Sequence, residues 1–100
     1  MPRPDAFEEP AAIRAVVRGR VQGVGFRDYA EHRARRLRLT GYVRNLEDYS
    51  SVEVIAEGPR EKLEQLVEHL HDGPRMSLVN AVDVEWRAPT GEYKDFRTAF

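Results

Sequence analysis

From Ile13 to Val21 apolar and polar positions alternate, with Ile13, Ala15, Val17 and Val21 on one side and Arg14, Arg18 and Arg20 on the other. A period of two predicts a strand with one wet face. The run Val21-Gln22-Gly23-Val24-Gly25 breaks that period, and Phe26, Ala30, Ala34 and Leu37 then recur at helical spacing. The spacing predicts a helix over about Phe26 to Arg38. Residues 40–45 and 52–56 are two more strand-like runs, separated by the polar segment 46–51, and read as a hairpin. Gly58-Pro59 supplies a cap and a first helical position, and Leu63, Leu66, Val67 and Leu70 stripe a second helix that Gly73-Pro74 stops. Val82, Val84 and Trp86 alternate with Asp83, Glu85 and Arg87, while Phe96, Thr98 and Phe100 mark a short last strand. On this phase Trp86 belongs to the core rather than to a ligand-stacking surface.

The order strand, helix, strand, strand, helix, strand is the split βαβ arrangement of an α+β, ferredoxin-like βαββαβ sandwich. Each strand carries one apolar and one charged face, as an antiparallel sheet with two helices on one face requires. Running up the first strand, down the first helix and up the second strand brings the ends of strands one and two to the same sheet edge. Arg27 and Asn45 are expected there together.

One hundred residues form one domain with one small core. Its expected extent is residues 12–100, after a polar, Pro-containing, flexible tail at residues 1–11. That start has no apolar targeting segment, and no stretch longer than Met76–Val82 lacks a charged residue, so neither a membrane span nor a membrane partner is expected. The expectation is a soluble, cytoplasmic monomer. With no cysteine, thiolate metal sites, disulfides and Cys nucleophiles are excluded. His32, His69 and His71 show no ligand spacing, so no metal is expected.

Net charge is −1, which predicts no nucleic-acid partner, but charge is unevenly placed. Residues 14–38 hold eight Arg against Asp28 and Glu31, a local balance of +6 that leaves −7 elsewhere. Within that basic region a glycine-rich turn leads from a strand into a helix, so free backbone N–H groups can point at an anion. The turn is neither a Walker A loop nor a dinucleotide fingerprint, because no Lys-Ser or Lys-Thr follows and position 28 is Asp. Arg27 stands in the first helical turn, at the positive dipole end, a placement that costs about 0.3 to 1 kcal/mol without a compensating anion. The alternative is that Arg27 reaches Asp28, Glu31 or solvent, with the glycines serving only a tight turn.

The segment Gly19-Arg20-Val21-Gln22-Gly23-Val24-Gly25-Phe26-Arg27, followed by Gly41-Tyr42-Val43-Arg44-Asn45 and Val52-Glu53-Val54, resembles the paired signature of the acylphosphatases. The resemblance extends over about residues 12–100, through Gly58-Pro59, Val82–Trp86 and Phe96–Phe100. It implies an enzyme, a hydrolase that cleaves the carboxyl–phosphate anhydride of small acyl phosphates to carboxylate and inorganic phosphate, without metal or cofactor. It further implies that Arg27 binds the phosphate, that the backbone of Gln22, Gly23, Val24, Gly25 and Phe26 cradles it, and that Asn45 positions the attacking water.

Two features depart from the family pattern. The family usually turns between strands two and three with a short Asp-Gly loop, whereas Glu47-Asp48-Tyr49-Ser50-Ser51 has no glycine and one more residue. Tyr42 and Thr98 also replace a more common Trp and an aliphatic residue. The alternative function is a noncatalytic ferredoxin-like module that binds an anion or another ligand. An RNA-recognition sheet is disfavoured, because residues 13–21 and 52–56 carry no stacking aromatic.

Overall fold

In the computed structural model, which describes residues 9–100, the first alternating run forms β1 (Pro10–Arg20). Pro10 and Ala11 pair with Pro59 and Gly58, so the last two residues of the expected tail belong to the sheet. Residues 1–8 of that tail lie outside the described residues. There follow α1 (Phe26–Arg36), β2 (Thr40–Asn45), β3 (Ser51–Pro59), α2 (Arg60–Asp72), β4 (Leu78–Arg87) and β5 (Phe96–Thr98).

The sheet order is β4-β1-β3-β2-β5. The first four strands are antiparallel as expected, but β5 joins the far edge parallel to β2, making the sheet mixed. The chain reaches that edge because residues 88–95 leave β4 and cross from one side of the sheet to the other. Glu57 catches the crossing, accepting hydrogen bonds from the Thr90 and Gly91 N–H groups at 3.0 and 2.9 Å.

The inward residues of the strands, among them Ile13, Ala15, Val17, Val43, Val54 and Ala56, meet Phe26, Ala30 and Ala34 of α1 and Leu63, Leu66 and Leu70 of α2. All of these are buried, and each fully buried large apolar side chain contributes about 1.5–3 kcal/mol. This core holds β1 and α1 in place, and with them the turn between them.

Three sequence expectations shift. α1 stops two residues early, where Leu39 N–H bonds to the Ala34 carbonyl and Arg38 N–H to that of Arg35. Arg38, at φ +59°, takes the left-handed position that usually falls to glycine in this type of helix end. β4 begins at Leu78 rather than near Val82, because Asn80 is an extra residue between the pairs Gly19↔Val79 and Arg18↔Ala81. A bulge of this kind breaks the period of two by which strands are recognised. Trp86 keeps its phase but lies at the sheet margin, 39% exposed, with the Arg60 guanidinium 4.4 Å above its ring.

The face without helices carries charge. Glu53, 5% exposed in its side chain, accepts from Arg14 Nε and Arg44 Nε, both at 2.7 Å, and from the Tyr42 hydroxyl at 3.2 Å.

Candidate active site

β1 leaves the sheet at Arg20, and the turn into α1 is made by backbone that only glycine adopts cheaply. Gly23 and Gly25 have φ of +73° and +81°, where an L side chain costs about 1–2 kcal/mol. No atom lies within 4 Å of the position a Cβ would take at either residue, so conformation and not crowding calls for glycine. Gly25 is also the N-cap of α1 and provides no side-chain acceptor. The first N–H groups of the helix are therefore left for an external acceptor, at the positive end of its dipole.

A cavity of about 160 Å³ opens on this turn. That is roughly five times the 30 Å³ share of one water in the liquid. Gly23, Gly25, Phe26, Arg27 and Asn45 all line it, so the ends of β1 and β2 meet as the topology predicts. Gln22 and Val24 do not line it. Val24 packs against the core, and the Gln22 side chain turns toward the loop after β2. Val21, Asp28, Thr98 and Phe100 complete the wall, four residues that the sequence reading does not assign to the site.

Arg27 reaches neither Asp28 nor Glu31. Among the described residues it forms no ion pair, and its guanidinium lies 5.2 Å from the centre of the Phe100 ring. Glu31 instead accepts a hydrogen bond from the Thr98 hydroxyl and pairs with Arg35 at 3.3 Å, and Arg35 Nε donates to the Phe96 carbonyl at 2.9 Å. Residues 27, 31 and 35 of α1 thus face residues 100, 98 and 96. Four helical residues advance about 6 Å and two strand residues about 6.6 Å, so the two strides match. The signal was available in the sequence as an i, i+4 stripe on α1 facing an i, i+2 run at the end of the chain.

Asn45 closes β2 opposite Val52 of β3. Among the described residues its carboxamide has no side-chain hydrogen-bond partner that would compete with a ligand. The loop behind it achieves without glycine what an Asp-Gly loop does with it, because Tyr49 adopts φ +61°. Asp48 accepts from the Ser51 hydroxyl at 2.6 Å and the Ser50 N–H at 2.9 Å. Those bonds, that from Ser51 first, hold the Asp48 carboxyl below its usual value. Leu46 N–H closes the loop on the Ser51 carbonyl at 2.9 Å.

Fold and site together define a ferredoxin-like sandwich in which a glycine turn, a helix N-terminus and the Arg27 guanidinium converge on one cavity at the end of its sheet. The acylphosphatase family model matches residues 13–98. The chain is 49% identical over 85 residues to the acylphosphatase of Salinibacter ruber, covering 85% of this chain and 88% of that one. It is 52% identical over 77 residues to that of Thermus thermophilus, covering 77% and 86%. The crystal structure of acylphosphatase from Bacillus subtilis superposes with a TM-score of 0.86 at 34% identity, covering 90% of this chain and 99% of that one. The chain belongs to the acylphosphatase family.

Proposed function

We propose that this chain hydrolyses small acyl phosphates, with the backbone N–H groups of Gly23, Gly25 and Phe26 and the Arg27 guanidinium holding the phosphoryl group and Asn45 orienting the water. The observation that carries the reading is one cavity shared by a glycine turn at a helix N-terminus, a guanidinium and a carboxamide, the last two having, among the described residues, no ion pair and no hydrogen-bond partner. A planar guanidinium can bind two phosphoryl oxygens at once. Water attacks phosphorus as the bond from phosphorus to the acyl oxygen breaks, and the carboxylate departs with the bonding electrons. Its conjugate acid has a pKa near 4, so at neutral pH it leaves unprotonated and needs no general acid. Asn45 cannot take a proton, so the attacking water passes its proton to a phosphoryl oxygen, and the products are carboxylate and inorganic phosphate. Catalysis then consists of positioning and charge stabilisation, which dominate phosphoryl transfer.

The reading includes a monomer acting in the cytoplasm, without nucleic-acid or membrane partners. It is supported by a helix-free sheet face built of paired charges rather than an apolar surface, and by a cysteine-free chain that needs no oxidising compartment. Among the described residues no helix is long and apolar enough to cross a membrane.

The test is phosphate release from a synthetic aryl acyl phosphate by the purified chain and by Arg27→Ala. Loss of one such charge-stabilising donor lowers kcat about 10²- to 10³-fold. An Arg27→Ala enzyme with full activity would refute the phosphate anchor, and an inactive, folded wild type would favour a binding module.

A further inference from the structure

Gln22 sits inside the glycine turn, yet its side chain points away from the cavity. The Nε2 atom donates to the Leu46 carbonyl at 2.9 Å and to the Ser51 carbonyl at 2.8 Å. These two carbonyls mark the two ends of the loop that follows Asn45, and the Ser51 carbonyl already accepts the Leu46 N–H that closes it. One carboxamide therefore spends both of its N–H groups on clamping the base of that loop. Gly19 N–H adds a longer contact to the Ser50 carbonyl at 3.4 Å. The phosphate cradle and the end of β2 are far apart in sequence and come from strands that are not neighbours in the sheet.

We propose that Gln22 is a positioning residue whose side chain sets Asn45 relative to the phosphate cradle. This inference rests on the reading of Asn45 as the water-orienting group. A water poised for attack must stand about 3–3.5 Å from phosphorus, and a shift of 1 Å costs about a hundredfold. Asn45 immediately precedes Leu46, so fixing the Leu46 carbonyl fixes the backbone that carries the Asn45 carboxamide. The turn that Gln22 belongs to carries the phosphate amides. The brace thus ties the water's reference frame directly to that of the phosphorus. Such a brace is valuable here because the loop has an extra residue and relies on Tyr49 in a left-handed conformation.

The experiment compares Gln22→Met, which retains length but donates no hydrogen bond, with wild type, in both the native and the Asn45→Ala backgrounds. The readouts are kcat on an aryl acyl phosphate and the inhibition constant of inorganic phosphate, with circular dichroism as the check on folding. In the native background kcat is expected to fall tenfold to a hundredfold while phosphate inhibition changes by less than about twofold. In the Asn45→Ala background the same substitution should lower kcat by less than about twofold, since its route of action is already gone. Equal losses in the two backgrounds, or weaker phosphate binding with kcat intact, would overturn the proposal while leaving the role of Asn45 standing. Wild-type turnover in Asn45→Ala itself would overturn the water-orienting role and this inference together. Should Gln22→Met fail to fold, Gln22→Asn keeps the amide on an arm one methylene shorter and is expected to show the same split, or the proposal fails.

Discussion

Replacing Glu53 by Gln tests the ionic cluster on the uncovered face of the sheet. The shape is retained, but a carboxylate that serves Arg14, Arg44 and Tyr42 becomes a neutral amide with a single acceptor oxygen. Breaking a fully buried pair costs about 3–5 kcal/mol, and a hydrogen bond to a charged group contributes about 1.5–3 kcal/mol. The Arg14 and Arg44 side chains are 34% and 43% exposed and can turn toward water, which discounts the loss. About 2 kcal/mol at pH 7 is expected. For a domain of this size that corresponds to a fall in Tm of about 8–16 °C.

The pH dependence makes the prediction sharper. Burial pushes the Glu53 carboxyl up, but the hydrogen bonds from Arg44 and Arg14 together with their charges outweigh it and hold the group below its ordinary value. A carboxyl with a depressed folded pKa stabilises the fold above its unfolded pKa of about 4.3, and that stability is lost as pH falls through the folded pKa. Thermal melts of the two proteins should therefore differ most at pH 6–7, and the gap should close as the pH drops from about 4 toward 2. A gap that stays constant across this range, or Glu53→Gln as stable as wild type at pH 7, would refute the assignment.

Tyr49→Gly should be neutral to stabilising, by up to about 1.5 kcal/mol, because relief of about 1–2 kcal/mol of left-handed strain matches or exceeds the entropy cost of glycine, about 0.5–1 kcal/mol. Tyr49 is 86% exposed, so little packing is lost, and a lower midpoint of denaturant unfolding would contradict the strain. Arg27→Lys keeps the charge but loses the planar fork, so steady-state kinetics should show both a higher KM and a lower kcat, and wild-type values for both would rule out bidentate binding.

Much of the fold was legible because the apolar spacing was clean. Leu63, Leu66 and Leu70 between Gly58-Pro59 and Gly73-Pro74 outlined α2 almost to its ends. The readings failed where a residue acted against its type. Arg38 and Tyr49 took left-handed backbone that sequence patterns assign to glycine, and Asn80 added a residue to β4 that shifted the alternation. The candidate site was legible where strand and helix direction alone determined it, as with Arg27 in the first turn of α1 and Asn45 at the end of β2. The side chain of Gln22 was not, because its partners are two backbone carbonyls that lie 24 and 29 residues away and leave no side-chain signature. Phe100 and Thr98 were read only as strand residues, because the i, i+4 stripe on α1 becomes their neighbour only once β5 docks beside β2.

The matched stride of α1 and β5 determines where this chain can change length during evolution. Residues 88–95 join the sheet's two outermost strands by a crossing held at Thr90 and Gly91 by Glu57 and at the Asp95 carbonyl by the Gly41 N–H, and between those points its length can change without altering the pairing beyond it. From Phe96 onward there is no such freedom. Side chains alternate between faces along a strand, so one inserted residue would swing Thr98 away from Glu31 and Phe100 away from Arg27 at once. A deletion would do the same. Length variation in relatives that keep this helix stripe should therefore collect before position 96, and the last few residues should behave as a fixed-length key cut to the helix they meet.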